Sequence, residues 1–226
     1  MQVVYEDNHI IVVDKRPGEI VQGDKTGDEP LVETVRRYIK EKYQKPGNVF
    51  CGVVHRLDRP TSGLVVFAKT SKALARLNEM FRRGEVRKTY RAITRSIPTP
   101  PEGRLVHYLT SVERNNKTYV SATPKAGAKE AALTYRVIGH SDRYHLIEVN
   151  LETGRKHQIR AQLSAIGCPI RGDLKYGDKR SNPDGSISLQ AYRIEFEHPV
   201  SHNHIDLTAS LPDDPLWKAF TPDNNQ

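Results

Sequence analysis

The sequence predicts an α+β fold in which helices flank an antiparallel-rich sheet. Short runs rich in β-branched and aromatic residues recur along the 226 residues, with turn formers between them, as expected for antiparallel strands. Other stretches place apolar residues at helical spacing. No internal repeat and no linker rich in proline, glycine or serine divides the chain, so we expect a single domain over residues 1–226.

The N-terminal part combines strands with a first helix. Its extended segments, each bounded by turn formers, are residues 2–5, 10–13, 49–54 and 63–69. A helix is predicted from Pro30 to about Tyr43, because proline is well tolerated in a first turn. Its apolar face carries Val32, Val35 and Ile39 at helical spacing.

The second predicted helix has two different faces. Ser71 is placed to cap its N-terminus, and the helix runs to Arg83 with Gly84 as its left-handed stop. The apolar face consists of Leu74, Leu77 and Phe81, and the basic face consists of Lys72, Arg76 and Arg83. One face can therefore pack against the protein while the other meets an anion.

The rest of the chain is rich in strands and contains one more helix. The predicted strands are residues 89–94, 106–109, 133–138, 144–151, 188–196 and 205–209. Residues 114–129 are polar and basic and are predicted to be a hairpin region or a mobile loop. Thr153 is predicted to cap a helix that ends at Gly167, and residues 173–185 are rich in turn formers.

Basic residues are concentrated in one part of the chain. The formal net charge is +8, and residues 69–95 contain nine basic against two acidic residues. The rest of the chain contains 26 basic against 25 acidic residues. A field concentrated in this way favours a polyanion and predicts one strip of surface that meets phosphates. A solvated basic face without a ligand is the alternative interpretation.

The composition favours a soluble, cytoplasmic protein. Hydrophobic residues make up 37% and charged residues 27% of the sequence, which is ordinary for a globular domain. No apolar run is long enough to span a bilayer, and the N-terminus carries acidic residues where a signal peptide needs an apolar core. Cys51 and Cys168 have no metal-like or redox-like spacing, so neither a disulfide framework nor a cysteine zinc site is predicted.

Asp58 is the first candidate for chemistry. It lies in a tight loop between two apolar runs, next to Arg56 and Arg59. A carboxylate beside guanidinium groups stays ionised at neutral pH, which is the state that a nucleophile or a base needs. Aspartate can attack an anomeric carbon, as it does in covalent glycoside chemistry. From local features alone, an aspartate that only holds its turn is the commoner case.

Arg155 is the second candidate, because it falls in the first turn of the third predicted helix, where a positive charge opposes the helix dipole. A carboxylate such as Asp58, or a phosphate, would compensate this charge through a two-pronged contact. The alternative is a side chain that simply reaches solvent. His157, Gln158 and Arg160 follow on the same turns, where a polar helix face is the alternative interpretation.

Tyr90 lies at the start of a predicted strand, within the basic strip and two residues after Lys88. Aromatic rings among basic residues suit stacking on an unpaired base. An ordinary strand tyrosine that packs on the core is the alternative. A separate cluster of His198, His202 and His204, with Asp206 nearby in the sequence, has no zinc-like spacing, so no metal site is predicted.

Several segments combine into a recognisable pattern. They are Lys15-Arg16-Pro17-Gly18 with Val21, His55-Arg56-Leu57-Asp58-Arg59-Pro60-Thr61-Ser62-Gly63-Leu64, Lys88-Thr89-Tyr90, residues 151–160 (LETGRKHQIR) and the segment 167–177. In order and spacing they resemble the motifs of the RluA family of pseudouridine synthases. The resemblance covers residues 3–211, with residues 212–226 as a C-terminal tail, and it implies a pseudouridine-synthase-like domain.

The resemblance implies a function and a set of site residues. It implies that the chain isomerises specific uridines in ribosomal RNA of the large subunit or in transfer RNA, without a cofactor. Asp58 is then the catalytic carboxylate, Tyr90 packs against the flipped base and Arg155 holds the Asp58 carboxylate. Whether Asp58 attacks C1′ or assists removal of a C2′ proton stays open. The residues expected to contact RNA are Arg56, Arg59, Lys72, Arg76, Arg83, Lys88, His157 and Arg160, with Arg56 as a wedge beside the flipped nucleotide.

Two features depart from the family pattern. Gln190-Ala191 stands where relatives usually carry His-Ala, which puts details of substrate recognition in doubt. Many relatives carry an N-terminal S4-type RNA-binding domain, whereas strand-like sequence begins here at residue 3. We therefore expect a small, monomeric synthase that recognises a compact stem-loop.

Two other functions remain open at this point. The first is a non-catalytic RNA-binding protein or RNA chaperone that retains the fold, and the second is a hydrolase that uses Asp58 on a glycosidic bond. A glycoside hydrolase usually needs a second acidic partner, and no such acid lies in the motifs. Replacement of Asp58 distinguishes the first alternative, because a binding protein would tolerate it.

Overall fold

The structure is a computed structural model, and it describes residues 1–220. In chain order its elements are β1 (Gln2–Glu6), β2 (Ile10–Lys15), α1 (Leu31–Lys42), β3 (Gly52–Val53), β4 (Ser62–Ala68), α2 (Ser71–Arg83), β5 (Arg87–Thr94), β6 (Glu102–Val112), β7 (Lys117–Ser121), β8 (Lys129–His140), β9 (His145–Leu151), α3 (Gln158–Ala165), a 3₁₀ turn (Leu174–Tyr176), β10 (Leu189–Glu197), β11 (His204–Thr208) and α4 (Pro215–Lys218). The predicted α+β class is confirmed.

Two compact units make up the described chain. The first comprises Met1–Arg87 and Ala191–Ser210, and the second comprises Lys88–Gln190 with the residues from Leu211 onward. In the first unit β2 pairs antiparallel with β1 and β4, and β10 pairs antiparallel with β11. In the second unit the strand order is β5-β9-β8-β6-β7, and these neighbours are antiparallel.

The core of the first unit explains the apolar runs of β2 and β4. Both strands are buried on both faces, so consecutive residues rather than alternate ones are apolar. Ile10 and Val66 belong to one buried cluster with Leu77 of α2, which is fully buried, and Phe196 of β10. The apolar face predicted for α2 is therefore the face that packs, and α2 follows β4 directly in the chain.

The ends of the first two helices differ slightly from the prediction. Thr70, rather than Ser71, caps α2, because its hydroxyl accepts the backbone N–H of Ala73. Gly84 ends the helix with φ of 73°, as predicted. The first helix begins at Leu31 after the cap residue Pro30, one residue later than predicted.

The second unit contains the hairpin predicted around residues 114–129, but it differs from the prediction at the C-terminal tail. The segment 114–129 forms the turn and second strand of the β6–β7 hairpin and the connection to β8. The predicted tail begins with α4, where Trp217 is 4% exposed and packs with Ile93 and Leu146. The remainder of that predicted tail, residues 221–226, lies outside the described residues.

The third helix begins later than predicted. Thr153 does not cap it, because its hydroxyl donates to Oε1 of Gln158 and accepts the backbone N–H of Ala132. The helix starts at Gln158 after His157, which has φ of 52°. Arg155 therefore lies in the loop before α3 and does not oppose its dipole from inside the first turn.

A buried carboxylate joins β1 to α1 in the first unit. The Glu6 side chain is 6% exposed and accepts hydrogen bonds from Lys42, Lys69, Tyr38 and Tyr43. Burial alone would raise the pKa of this carboxyl, but the bonds from the two lysines and the two tyrosines outweigh it and lower the pKa to about 2. The charged side chain of Glu6 thus holds the C-terminal end of α1 to β1.

Replacing Glu6 with glutamine should make the fold less stable in a pH-dependent way. A pKa that falls from the ordinary 4.5 to about 2 contributes about 3 kcal/mol, fully present above pH 4.5 and lost as the pH falls toward 2. Urea unfolding should therefore show a difference between wild type and E6Q that shrinks across this range. E33Q, on an exposed pair with Arg36, is the matched control. A difference that stays constant from pH 7 to pH 3 would assign the effect to packing.

Membrane insertion through a helix has no support in the described chain. Among residues 1–220, no helix is long and apolar enough to cross a membrane.

Candidate active site

Asp58 lies in the loop between β3 and β4, in the first unit. The backbone N–H of Thr61 donates to the Asp58 carbonyl at 3.0 Å, which closes a turn around Arg59 and Pro60. Leu57 is buried, whereas Asp58 is half-buried and Arg56 is exposed. The loop is thus held by its apolar neighbour and its own turn while the Asp58 side chain stays accessible.

A buried lysine donates hydrogen bonds to the backbone of this loop. Lys15, the last residue of β2, is 1% exposed, and its Nζ donates to the carbonyls of Arg16, Arg59 and Thr61 at 2.9, 3.1 and 2.7 Å. Burial lowers the pKa of Lys15 to about 8, against the opposing effect of nearby acids that include Asp58. All three ammonium protons are donated to backbone carbonyls, so Lys15 joins the end of β2 to the predicted catalytic turn.

Arg59 reaches toward a neighbouring acidic loop. Its Nη2 donates to Oδ2 of Asp28 at 2.5 Å and to the hydroxyl of Thr26 at 2.8 Å. Its backbone carbonyl accepts the N–H of Gly18 at 2.8 Å. The segment after β2 and the turn of Asp58 are therefore connected by both backbone and side-chain bonds.

Tyr90 and Arg155 belong to the second unit. Tyr90 is 8% exposed and lies on β5 opposite Val149 of β9. Lys88, two residues earlier on the same strand, is half-buried, and burial lowers the pKa of its ammonium group. Its Nζ lies 3.6 Å from the point where a Cβ at Gly154 would stand. Lys88 is thus beside the loop that carries Arg155.

Arg155 is exposed and is held at two points. Its backbone N–H donates to Oε1 of Gln158 at 2.9 Å, and its Nε donates to the carbonyl of Glu130 at 2.9 Å. Gln158 is 3% exposed, and its Nε2 donates to the carbonyl of Ala132 at 3.0 Å. The amide of Gln158 therefore joins the Arg155 loop to β8. No sequence pattern indicates this role of Gln158, because a glutamine at a helix start also fits a polar face.

Two residues predicted to contact RNA have structural partners instead. Arg160 is 5% exposed and makes a bidentate pair with Asp173, with distances of 2.7 and 2.9 Å. His157 is 7% exposed, and its Nδ1 lies 2.8 Å from the hydroxyl of Tyr176. Both side chains would have to leave these partners to bind phosphate, so contact with RNA stays a prediction for both residues. Burial could not be inferred from the helical pattern, since α3 is buried on most of its surface.

The basic face of α2 is exposed, but its residues differ in their partners. Lys72 is exposed to solvent. Nη1 of Arg76 donates to the carbonyl of Pro199 at 2.6 Å. Arg83 pairs with Glu79 and lies 3.9 Å from Glu85. An RNA phosphate that binds Arg76 or Arg83 would therefore compete with the protein acceptors of these side chains. A phosphate that binds Lys72 would not compete with these acceptors.

The C-terminal histidines have separate environments. His198 is 1% exposed, and its Nε2 lies 2.8 Å from Asp7, while His202 pairs with Glu197 at the surface. His204 lies with Glu195 and Asp206, and their ligand atoms are all within 4.8 Å of one another. Arg193 pairs with both of these acids, so a cation already occupies this exposed group. The expectation that no metal is bound stays a prediction.

The sequence of this chain is similar to a known protein family and to several of its members. The sequence model of the family described as RNA pseudouridylate synthase matches residues 9–165. The chain is 31% identical over 228 residues to ribosomal large subunit pseudouridine synthase D of Vibrio cholerae, with 95% of this chain and 68% of the relative covered. The same enzyme of Zymomonas mobilis is 34% identical, with 95% and 70% covered.

Solved structures show the same fold. Human RNA pseudouridylate synthase domain containing 4 superposes with a TM-score of 0.80 at 23% identity, covering 96% of this chain and 91% of that one. Human RNA pseudouridylate synthase domain containing 1 superposes with a TM-score of 0.71 at 21% identity, covering 99% and 86%. The resemblance to the RluA family is confirmed: the chain belongs to the RNA pseudouridylate synthase family and is an isomerase that converts uridine to pseudouridine in RNA.

Proposed function

We propose that this isomerase acts on uridines of large-subunit ribosomal RNA, with Asp58 as its catalytic carboxylate. The observation that carries the assignment of Asp58 is its loop, in which buried Lys15 fixes the backbone directly after a half-buried carboxylate through the carbonyls of Arg59 and Thr61. Relatives that share about a third of their residues with this chain are large-subunit pseudouridine synthases, which favours the same class of RNA. Transfer RNA is the second candidate substrate.

The proposed reaction needs no net oxidation and no added group. The C1′–N1 bond of a flipped uridine breaks, the uracil rotates, a C1′–C5 bond forms, and the C5 proton is released while N1 gains a proton. Asp58 acts on the ribose, either as nucleophile at C1′ or as the base that removes a C2′ proton. Tyr90 packs against the base, and Arg155 orients the Asp58 carboxylate.

We also propose how the chain operates in the cell. It works as one catalytic domain over residues 1–226, as a cytoplasmic monomer that recognises a compact RNA stem-loop. The positive charge of residues 69–95 supports docking of a polyanion, and the predicted contacts Arg56, Lys72 and Lys88 have exposed or half-buried side chains.

Release of tritium from C5-labelled uridine tests the proposal. Large-subunit ribosomal RNA and total transfer RNA, each labelled at C5, would be incubated separately with the wild-type protein. We expect release from the ribosomal RNA, because bond formation at C5 expels its hydrogen. Release from transfer RNA alone would favour the second candidate substrate. No release from either RNA would contradict catalysis and favour a binding protein that retains the fold.

Replacing Arg155 with alanine should leave a folded protein that loses most of its turnover. Removing a charged donor that positions a reacting group lowers kcat by about 100-fold or more. The measurement is tritium release at saturating RNA, with folding checked by urea unfolding. R136A removes an exposed arginine that pairs with Glu148 in the same unit and is the matched control. Equal turnover of R155A and wild type would remove Arg155 from the proposed site.

A further inference from the structure

The acidic loop beside Arg59 has a charge opposite to that of the protein as a whole. Residues 19–29 contain four acidic residues and one lysine, a local charge of −3 within a chain of net charge +8. This loop has no regular secondary structure between β2 and α1. Its side chains nevertheless have definite partners, and Asp24 accepts the backbone N–H of Thr26 at 2.8 Å. An RNA that approaches the turn of Asp58 would meet this negative segment.

The guanidinium group of Arg59 is the point where the acidic loop and the predicted catalytic turn meet. Asp28 and Thr26 both accept from its Nη2. The backbone of Arg59 is fixed independently, because its carbonyl accepts from Lys15 and from Gly18. The backbone position of Arg59 next to Asp58 therefore does not depend on Asp28.

The Arg59–Asp28 pair is poorly suited to stabilising the fold. The side chains are 40% and 57% exposed, and exposed ion pairs contribute little to the free energy of unfolding. The carboxylate of Asp28 instead offers Arg59 the same kind of anionic oxygen that a backbone phosphate offers. The bond to Arg59 also lowers the pKa of the Asp28 carboxyl, so this anion persists at neutral pH.

We propose that Asp28 occupies, in the free protein, the place of an RNA backbone phosphate on Arg59, and that RNA must displace it to bind. The inference rests on the proposed function, since it assumes that RNA docks over the turn of Asp58. Displacement exchanges one anion for another on Arg59 and leaves the Asp28 carboxylate to be neutralised by a cation from solution. The gain from this phosphate contact is therefore small in the wild type. Non-specific RNA, which binds through phosphates alone, would be disfavoured most.

The test is the salt dependence of RNA binding by the Asp28→Asn variant. Fluorescence anisotropy of a fluorescein-labelled RNA hairpin gives the dissociation constant. Each phosphate contact made without an internal competitor adds about −0.9 to the slope of log affinity against log salt. D28N should bind more tightly at low salt and lose about 3.5-fold more affinity than wild type between about 50 and 200 mM salt.

Two variants make the test specific to Arg59. E29Q removes one negative charge from the adjacent residue, whose partner is Arg37, and should keep the wild-type slope. R59M should weaken binding, and D28N combined with R59M should bind like R59M alone. A D28N slope equal to that of E29Q, weaker binding by D28N, or a D28N effect that survives in R59M would each overturn the inference. These results would leave the proposed function intact if wild type still releases tritium, whereas loss of that release contradicts the function itself.

Discussion

The Asp58→Asn variant is expected to release no measurable tritium from C5-labelled RNA, with turnover reduced by about 10⁴-fold or more. Asparagine has nearly the same shape as aspartate but can neither attack C1′ nor accept a C2′ proton. The loop should keep its structure, because Lys15 and the N–H of Thr61 bond to its backbone, which the substitution leaves unchanged.

Binding measurements separate lost chemistry from lost folding. D58N should bind the labelled hairpin at least as well as wild type, since removal of a negative charge favours association with a polyanion. D142N, which changes an exposed aspartate in the turn before β9, should keep full activity. If D58N released tritium at the wild-type rate, Asp58 would not be the catalytic carboxylate, and another group would have to act on the ribose.

The elements of the first unit could be predicted from the sequence because their signals are local. The run from Leu64 to Ala68 is apolar without interruption, and the strand is buried on both faces. The stop at Gly84 follows from its left-handed backbone, which glycine adopts without strain. Each signal involves residues that are close in sequence, so pattern rules apply to them directly.

The start of α3 could not be predicted, because it depends on a side chain that is not usually a cap. Thr153 has the right residue type for an N-cap, but Gln158 takes the backbone N–H of Arg155 and the hydroxyl of Thr153. The amide of Gln158 is in turn fixed by Ala132 on β8. A contact with strand β8 therefore determines where α3 begins.

Some residues of the candidate site could be predicted from the sequence, and others could not. Asp58, Tyr90 and Arg155 were predicted from the order of the motifs. That order can be read from the sequence without knowing which residues are in contact. The role of Lys15 was missed, because its partners Arg59 and Thr61 are more than forty positions away in sequence. Sequence likewise could not show that Trp217 would be buried against Ile93 and Leu146, since that contact joins distant parts of the chain.

Replacing Asp173 with asparagine should destabilise the protein more than most other single polar substitutions. The Arg160 and Asp173 side chains are 6% and 1% exposed, and the guanidinium of Arg160 lies 5.0 Å from the centre of the Tyr176 ring. Removing one partner of a buried ion pair leaves the other charge uncompensated, which costs about 3 to 5 kcal/mol. Urea unfolding at pH 7 measures this loss as a lower midpoint at unchanged m-value.

An exposed pair of the same geometry is the control. Arg193 and Asp206 also form a bidentate pair, with distances of 2.7 and 2.6 Å, but their side chains are 40% and 38% exposed. D206N should therefore change the midpoint little, because water solvates the arginine that remains. A loss in D206N as large as that in D173N would mean that pair geometry, rather than burial, sets the effect.

The cause of the D173N loss can be isolated with an apolar double variant. Replacing Arg160 with methionine and Asp173 with leucine removes both charges, so no buried charge is left without a partner. If the uncompensated charge of Arg160 causes the loss, the double variant should be more stable than D173N despite its two substitutions. If instead the two carboxylate bonds themselves hold α3 to the following turn, the double variant should be at least as unstable. The pair would then stabilise the protein through its bonds between α3 and the following turn.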